Sequence, residues 1–287
     1  MTKDKPISIC ILSHPRSGST WFIERITNCT IKGLGTSSGG SSEINLNIAP
    51  NSTVSFGEFF RPDRLSLFIH KNFPYIYNKD AIPQKISLSK FLEIKKILNE
   101  KYQSSFAFKV FRSHLPFENS KNITVKNLID YSDVIILQYR NNLLECWISY
   151  LLALKTKTWN VHKQEAEDYF EKNGRKNIVW KKQEFINYSI TCKEWIEDCE
   201  AELKKRRKKY VKISYEEQLL KNFDEILNEK MKTCGFEKIS IYGSKIQKIP
   251  YQNNELISKI KNKEDFLKDY ESIKKYMFIE KKFVNII

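Results

Sequence analysis

Four short runs of β-branched and aromatic residues recur along the chain and alternate with segments of helical periodicity. The runs are ISICILS, FAFKVF, DVIILQYR and YVKIS, which begin at residues 7, 106, 133 and 210. A helix between two strands returns the chain to the same edge of a sheet, so that the next strand runs parallel to the last. The sequence therefore predicts an α/β fold with a central, mostly parallel sheet and helices on both faces.

Helices are predicted in the intervals between these strands and after the last of them. They span residues 21–28, 88–102, 124–131, 143–155, 177–207, 216–234 and one or two segments after 253. Gly235 is placed to cap the C-terminal end of the 216–234 helix. We therefore expect a helix-rich C-terminal part. Since 287 residues with 41% hydrophobic content can bury one large core, we also expect a single domain over residues 1–287.

A Gly-, Ser- and Asn-rich segment, residues 32–56, is too long for an ordinary connection in a compact domain. Such segments are typical of mobile lids and substrate-binding loops, and disorder is the alternative. The sequence contains neither a signal-peptide pattern nor an apolar stretch of about 18 residues. We expect a soluble, cytoplasmic protein without a transmembrane segment.

The chain is strongly basic, with 49 Lys and Arg against 34 Asp and Glu and a net charge of +15. This charge favours an anionic partner: a nucleotide, nucleic acid, an acidic glycan or an anionic membrane surface. The run KKRRKK, residues 204–209, closes a predicted helix, where cations complement the helix dipole, so we favour a structural role over a nucleic-acid patch. Six cysteines without a CxxC pair or a suitably spaced His predict neither a metal site nor a disulfide framework.

The sequence ILSHPRSGSTWF, residues 11–22, joins the first predicted strand to the first predicted helix. Its Arg, Gly and hydroxyl residues suit an oxyanion, because backbone N–H groups and hydroxyls can both donate hydrogen bonds to it. A nucleotide-triphosphate loop, GxxxxGK[ST], has a Lys directly after its second Gly. Here Gly18 is followed by Ser19 and the cation, Arg16, precedes it, which weakens an assignment as a kinase or ATPase. An ordinary turn capped by a Ser is the alternative.

The stretch HPRSGSTW resembles the 5′-phosphosulfate-binding loop of sulfotransferases that use 3′-phosphoadenosine 5′-phosphosulfate (PAPS). The resemblance implies that Arg16 is the catalytic cation and that Trp21 lies against the adenine. It also implies contacts to the 5′-phosphosulfate from Ser17, Gly18, Ser19 and Thr20. Because an Arg does not give up its proton, the role of Arg16 would be electrostatic stabilisation of the leaving phosphate.

A second segment, RNNLLECWIS at residues 140–149, runs from a predicted strand into a predicted helix. It resembles the 3′-phosphate-binding segment of the same family, in which an Arg at the strand end and a Ser on the helix grip the 3′-phosphate. Arg140 and Ser149 would have these roles, and their spacing of nine residues is closer to bacterial carbohydrate-type members than to cytosolic animal enzymes. The alternatives are a structural cation and an ordinary helical Ser, but two motifs in the right order favour the resemblance.

Two residues are candidates for the base that removes the acceptor proton. His114 lies in RSHLP, which is similar to the KTHLP segment with the catalytic His of cytosolic sulfotransferases. Glu58, in SFGEFFRP, resembles an acidic residue of bacterial and carbohydrate sulfotransferases, and its Phe neighbours would raise its pKa. The alternatives are a capping or core role for His114 and a charge pair with Arg61 or Arg64 for Glu58. We favour His114, and we expect His14 to shape the loop that contains it.

The segment KIQKIPYQNN, from residue 245, resembles the loop that closes over the nucleotide in bacterial members. It suggests Lys245, Gln247 and Lys248 as phosphate contacts. YEEQL, after the fourth predicted strand, resembles a structural segment of the family.

The resemblance implies an enzyme that transfers a sulfuryl group from PAPS, as co-substrate, to a hydroxyl of a carbohydrate or glycolipid, without a metal. The acceptor and the oligomeric state are left open. Two other classes are a P-loop nucleotide kinase with a degenerate phosphate loop and a basic, non-enzymatic nucleic-acid-binding protein. Neither explains both motifs, so we expect PAPS and a hydroxyl-bearing acceptor as partners, and no nucleic acid.

Overall fold

The computed structural model describes residues 6–27, 29–30, 52–56, 60, 87–118, 122–156, 177–218, 222–236 and 259–279. The strands in these ranges are β1 (Ser8–Ser13), β2 (Cys29–Thr30), β3 (Thr53–Ser55), β4 (Ser105–Val110), β5 (Val134–Tyr139) and β6 (Val211–Ser214). They form one sheet in the order β2-β3-β4-β1-β5-β6, and every pairing is parallel. The predicted α/β fold is therefore confirmed.

The helices of the described ranges follow the strands in alternation and then dominate the C-terminal part, as predicted. They are α1 (Ser19–Arg25), α2 (Leu88–Tyr102), α3 (Val125–Tyr131), α4 (Leu143–Thr156), α5 (Lys182–Lys205), α6 (Tyr215–Gln218), α7 (Phe223–Thr233) and α8 (Lys263–Met277). None of them combines the length and the apolar character that crossing a membrane requires.

The central strand β1 is buried on both faces of the sheet, which is why its sequence is a nearly continuous apolar run. Cys10 and Leu12 face a core that is covered by α2, α3 and α5. Ile9 and Ile11 face the opposite core, under α1 and α7. Because successive side chains of a strand point to opposite faces, this six-residue run packs into both cores. The start of the loop that follows β1 is thereby anchored in the sheet.

A third apolar cluster lies among α4, α5 and α8, beside the sheet rather than on it. Its centre is aromatic: the ring of Trp180 lies 5.3 Å from that of Trp147 and 5.0 Å from that of Phe266. Edge-to-face packing of this kind adds to the free energy gained from burial alone. The cluster anchors α4, the helix that carries Ser149.

Several predicted bounds were wrong. The 32–56 segment, predicted as a loop, contains β3 at its C-terminal end; residues 32–51 lie outside the described ranges. β3 has only three residues and is held by pairing with β4, so it is too short to show a strand pattern. The predicted 216–234 helix is two helices, α6 and α7. Gly235 caps α7 as predicted, with a φ of 72° and its N–H donating to the carbonyl of Lys232 at 2.9 Å.

The basic run at residues 204–209 ties the end of α5 to the turn between α3 and β5. Arg206 pairs with Glu202 on its own helix and with Asp130 on α3. Lys208 donates to the backbone carbonyl of Ser132 at 2.8 Å. These contacts support the structural interpretation of the run over a dedicated nucleic-acid patch.

Candidate nucleotide site

Four chain segments meet at the carboxyl edge of the sheet, because β4, β1, β5 and β6 are neighbours and run parallel. They are the loop after β1, the turn after β4, the residues after β5 and the start of α6 after β6. In open parallel sheets ligands bind outside the carboxyl ends of the strands. The two motifs singled out in the sequence, around Arg16 and Arg140, both lie at this edge.

The loop after β1 has an unusual backbone that several long-range contacts maintain. Arg16 and Gly18 both have positive φ, at 65° and 80°. The buried Gln138 of β5 binds Ser17 with both polar atoms of its side-chain amide. The amide nitrogen donates to the Ser17 carbonyl at 2.5 Å, and the amide oxygen accepts from the Ser17 hydroxyl at 3.1 Å. Gln138 was missed from the sequence, although an amide inside the apolar run VIILQY was a signal.

Gly18 lies against the ring of Tyr215 at the start of α6. A Cβ built on Gly18 would lie 2.4 Å from Cδ2 of Tyr215, so no larger residue fits without movement. Tyr215 also meets Arg140, whose guanidinium carbon is 4.5 Å from the ring centroid. One aromatic ring therefore links the loop to the residue at the end of β5.

His14 joins the same two segments through its imidazole. Its Nε2 accepts a hydrogen bond from the backbone N–H of Arg140 at 3.0 Å, and Nδ1, which then carries the proton, donates to the Pro15 carbonyl at 3.1 Å. Burial lowers the pKa of His14 to about 4. A neutral imidazole with both nitrogens engaged is a structural element, which agrees with its expected role in shaping the loop.

The free energy of unfolding is expected to fall as the pH is lowered from about 6.5 to about 4, in part because of His14. The folded state keeps this imidazole neutral, whereas the unfolded chain protonates it near pH 6.5. Its contribution is complete above that pH and is lost as the pH falls through the folded value, with a slope of up to about 1.4 kcal/mol per pH unit. Urea denaturation across this range checks it: the slope should shrink in His14→Gln, and an unchanged slope would contradict the assignment.

Arg16 reaches from the loop to the first turns of α4. Its Nε and Nη2 both donate to the hydroxyl oxygen of Ser149, at 3.0 and 2.9 Å. The two residues are 133 positions apart in the chain. The structure thus brings together the cation of the first motif and the hydroxyl of the second.

Arg140 is almost completely buried, with 6% of its surface exposed. Its Nη2 pairs with the Glu145 carboxylate, and its Nε has no hydrogen-bond partner among the described residues. Burial alone lowers the pKa of the Arg140 guanidinium. The negative charge of Glu145 and other nearby groups raises this pKa by more than burial lowers it, so the net shift is upward. Burial raises the pKa of the Glu145 carboxyl, and Arg140 opposes that shift.

The turn that follows Arg140 is held by the carboxylate of Glu216. Its two oxygens accept from the backbone N–H groups of Asn141 and Asn142, both at 3.0 Å. Hydrogen bonds from N–H groups to a carboxylate are among the stronger ones in proteins. Glu216 belongs to the YEEQL segment, for which the resemblance implies a structural role.

The candidate bases are only partly described. His114 lies in the turn after β4, half-buried, with its Nδ1 accepting from the backbone N–H of Phe111 at 3.3 Å. This bond places the proton of the neutral ring on Nε2. Glu58, the rival candidate, lies outside the described residues, and so do Lys245, Gln247 and Lys248.

Trp21 packs on the protein side of α1. Its ring centroid is 5.7 Å from that of Phe223, and the Arg25 guanidinium carbon lies 5.3 Å from it. These contacts fix the indole beside α7, and the adenine contact that the resemblance implies stays a prediction.

Lys109 is a site residue that the sequence reading missed. It is 98% buried, since only 2% of its surface is exposed, and its Nζ donates to the hydroxyl of Thr20 in α1. A single cation within the apolar run FAFKVF was the available signal, because buried Lys is rare unless it has a partner.

Among the described residues, no cluster of three or more His, Cys, Asp and Glu side chains could hold a metal ion. Comparison of the chain with known protein families and with curated proteins finds no match.

Proposed function

We propose that this chain is a PAPS-dependent sulfotransferase. The observation that carries the proposal is the contact between Arg16 and Ser149, at 2.9 and 3.0 Å. The resemblance assigns Arg16 to the 5′ end of the nucleotide and Ser149, in a separate motif, to its 3′ end. The parallel pairing of β1 and β5 brings the two motifs to one edge of the sheet, and the contact joins the two side chains that the resemblance assigns to the nucleotide.

The chemistry of the site supports a ligand with anionic groups. Three cations lie there: Arg16 donates to the Ser149 hydroxyl, Lys109 donates to the Thr20 hydroxyl, and the buried Nε of Arg140 has no acceptor among the described residues. A buried donor without an acceptor is costly, and a phosphate oxygen would satisfy it. The carboxylates of Glu145 and Glu216 are engaged by Arg140 and by two backbone N–H groups. This charge balance suits a nucleotide with two anionic ends.

The proposed reaction is an in-line transfer. The acceptor hydroxyl attacks sulfur, a bond from sulfur to the acceptor oxygen forms, and the bond from sulfur to the 5′-phosphate oxygen breaks. The acceptor proton passes to His114 or Glu58. Arg16 stabilises the negative charge that develops on the departing phosphate, because its guanidinium stays charged throughout. For His114 to accept the proton at Nε2, the ring must first carry its own proton on Nδ1. A carbohydrate or glycolipid is the proposed acceptor, on the resemblance alone.

Calorimetric titration with adenosine 3′,5′-bisphosphate, the product of the reaction, tests the nucleotide assignment. We expect micromolar or tighter binding, a loss of at least about tenfold in Arg140→Ala and a smaller loss in Ser149→Ala. Ser149→Ala serves as the second variant because removal of Arg140 leaves Glu145 buried without its partner. AMP should bind far more weakly than the bisphosphate.

The same titration separates the rival classes. Binding of ATP with Mg²⁺ but not of the bisphosphate would replace the sulfotransferase with a nucleotide kinase. Binding of duplex DNA with a steep salt dependence, and of neither nucleotide, would indicate a nucleic-acid-binding protein.

A further inference from the structure

Lys109 brings an ammonium group to the loop after β1 from the neighbouring strand. In the register of β4 and β1 it lies opposite Ile11, two residues before the end of β1. Its side chain is on the α1 side of the sheet, where Nζ donates to the Thr20 hydroxyl and lies 5.4 Å from the ring centroid of Phe111. Burial of an ammonium is costly, so a Lys in this position needs a compensating interaction.

The loop itself lacks the ammonium that phosphate-binding loops of the nucleotide-triphosphate type carry. In those loops the Lys follows the second Gly, and here Ser19 follows Gly18. The next residue, Thr20, is the one that Lys109 contacts. The ammonium group that the loop sequence lacks is therefore supplied by Lys109 of the neighbouring strand β4.

The direction of this hydrogen bond determines what Thr20 can do. A hydroxyl has one hydrogen to donate, and an ammonium can only donate. Because the Thr20 oxygen accepts from Lys109, its own hydrogen is directed to a different acceptor. A neighbouring positive charge also polarises that O–H bond and strengthens the hydrogen bond it makes.

We propose that Lys109 is a positioning residue for the 5′-phosphosulfate, acting through Thr20, whose hydroxyl it orients and polarises toward the anion. This inference rests on the proposed function. It assigns to this chain an Arg and a Lys with separate tasks at the 5′ end of the nucleotide: Arg16 as a permanent charge and Lys109 as the group that prepares a hydroxyl donor.

The test compares two ligands that differ only in the 5′ group. In Lys109→Met the affinity for adenosine 3′,5′-bisphosphate should fall about tenfold, whereas that for adenosine 3′-monophosphate should stay within about twofold of the wild type. Lys212→Met is the matched control: this strand Lys on β6 also lies 5.4 Å from an aromatic ring centroid, that of Tyr139, but bonds Glu200 at 2.7 Å. It should change neither affinity.

A double-mutant cycle separates action through Thr20 from a general effect of charge. Thr20→Val should cause a similar loss for the bisphosphate, Thr20→Ser should retain the affinity, and combining Lys109→Met with Thr20→Val should add little. Thermal unfolding verifies folding of each variant. Lys109→Gln replaces Lys109→Met if that chain does not fold; because it keeps a donor but removes the polarising charge, it should show the same ligand-selective loss at a smaller size.

The outcomes distinguish the two proposals. If the wild type does not bind the bisphosphate, the sulfotransferase assignment fails. If the wild type binds the bisphosphate, three results would overturn only the role of Lys109. They are an unchanged affinity in the Lys109 variant, an equal loss of affinity for both ligands, and a loss that is fully additive with that of Thr20→Val.

Discussion

Replacing Glu145 by glutamine is expected to lower the free energy of unfolding by about 3 kcal/mol and to tighten binding of adenosine 3′,5′-bisphosphate about tenfold. The carboxylate is the charge partner of Arg140, and both side chains are largely buried, at 16% and 7% exposure. Removing one partner of such a pair leaves the other charge buried without compensation. Breaking a buried ion pair usually costs about 3–5 kcal/mol of stability. Because glutamine keeps an oxygen acceptor for the guanidinium, we expect a loss at the lower end of that range.

The opposite sign for binding follows from the proposed role of Arg140. A 3′-phosphate at this guanidinium would lie close to the Glu145 carboxylate and be repelled by it. Loss of that repulsion should strengthen binding of the bisphosphate and of adenosine 3′-monophosphate, while binding of AMP stays unchanged. Urea denaturation measures the first effect and calorimetric titration the second.

Glu194→Gln is the matched control for the ion pair. Glu194 also pairs with an Arg, Arg112, at 3.0 Å, but both side chains are about half exposed. An exposed pair contributes about 0.2–1 kcal/mol, so this variant should be nearly neutral in stability and binding. Unchanged or weaker binding of the bisphosphate in Glu145→Gln would contradict the assignment of Arg140 to the 3′-phosphate.

The sheet could be predicted because its strands are buried on both faces. The runs that became β1, β4 and β5 have six residues each and show nearly continuous apolar character, whereas the four-residue β6, VKIS, was predicted from its β-branched residues. β2 and β3 could not be predicted, since strands of two and three residues exist only through pairing with a neighbour. Helix periodicity marked α2 and α4 to within a residue, but it did not show that the 216–234 segment holds two helices.

Only some residues of the candidate site could likewise be predicted from the sequence. Arg16, Arg140 and Ser149 were selected because their two short segments, HPRSGSTW and RNNLLECWIS, resemble nucleotide-binding motifs of a known family. His14 and Tyr215 act by contacts to residues far away in the chain, which no local pattern encodes. His14, for example, is 126 positions from Arg140, whose N–H it accepts. Such contacts follow from the parallel register of β1 and β5, in which Ser13 lies opposite Gln138.

Replacing Gly18 by alanine is expected to destabilise the protein by about 4 kcal/mol and to reduce affinity for the bisphosphate at least about tenfold. At a φ of 80° an alanine is strained by about 1–2 kcal/mol, whatever the surrounding space. The new Cβ would also lie 2.4 and 2.8 Å from two atoms of the Tyr215 ring. That ring is buried and packs on Arg140, so its displacement adds about 1–3 kcal/mol and disturbs both motifs at once.

Gly235→Ala separates these two causes. Gly235 has nearly the same φ, 72°, but a Cβ there meets the Nζ of Lys209, at 2.8 Å, which is the far end of a flexible side chain. This variant should therefore show only the backbone strain, about 1–2 kcal/mol, with unchanged nucleotide affinity. Thermal and urea denaturation of both variants, with calorimetric titration of each, give the comparison. Equal losses of stability would mean that the Tyr215 ring yields freely, and the link it forms between Gly18 and Arg140 would not be what holds the site together.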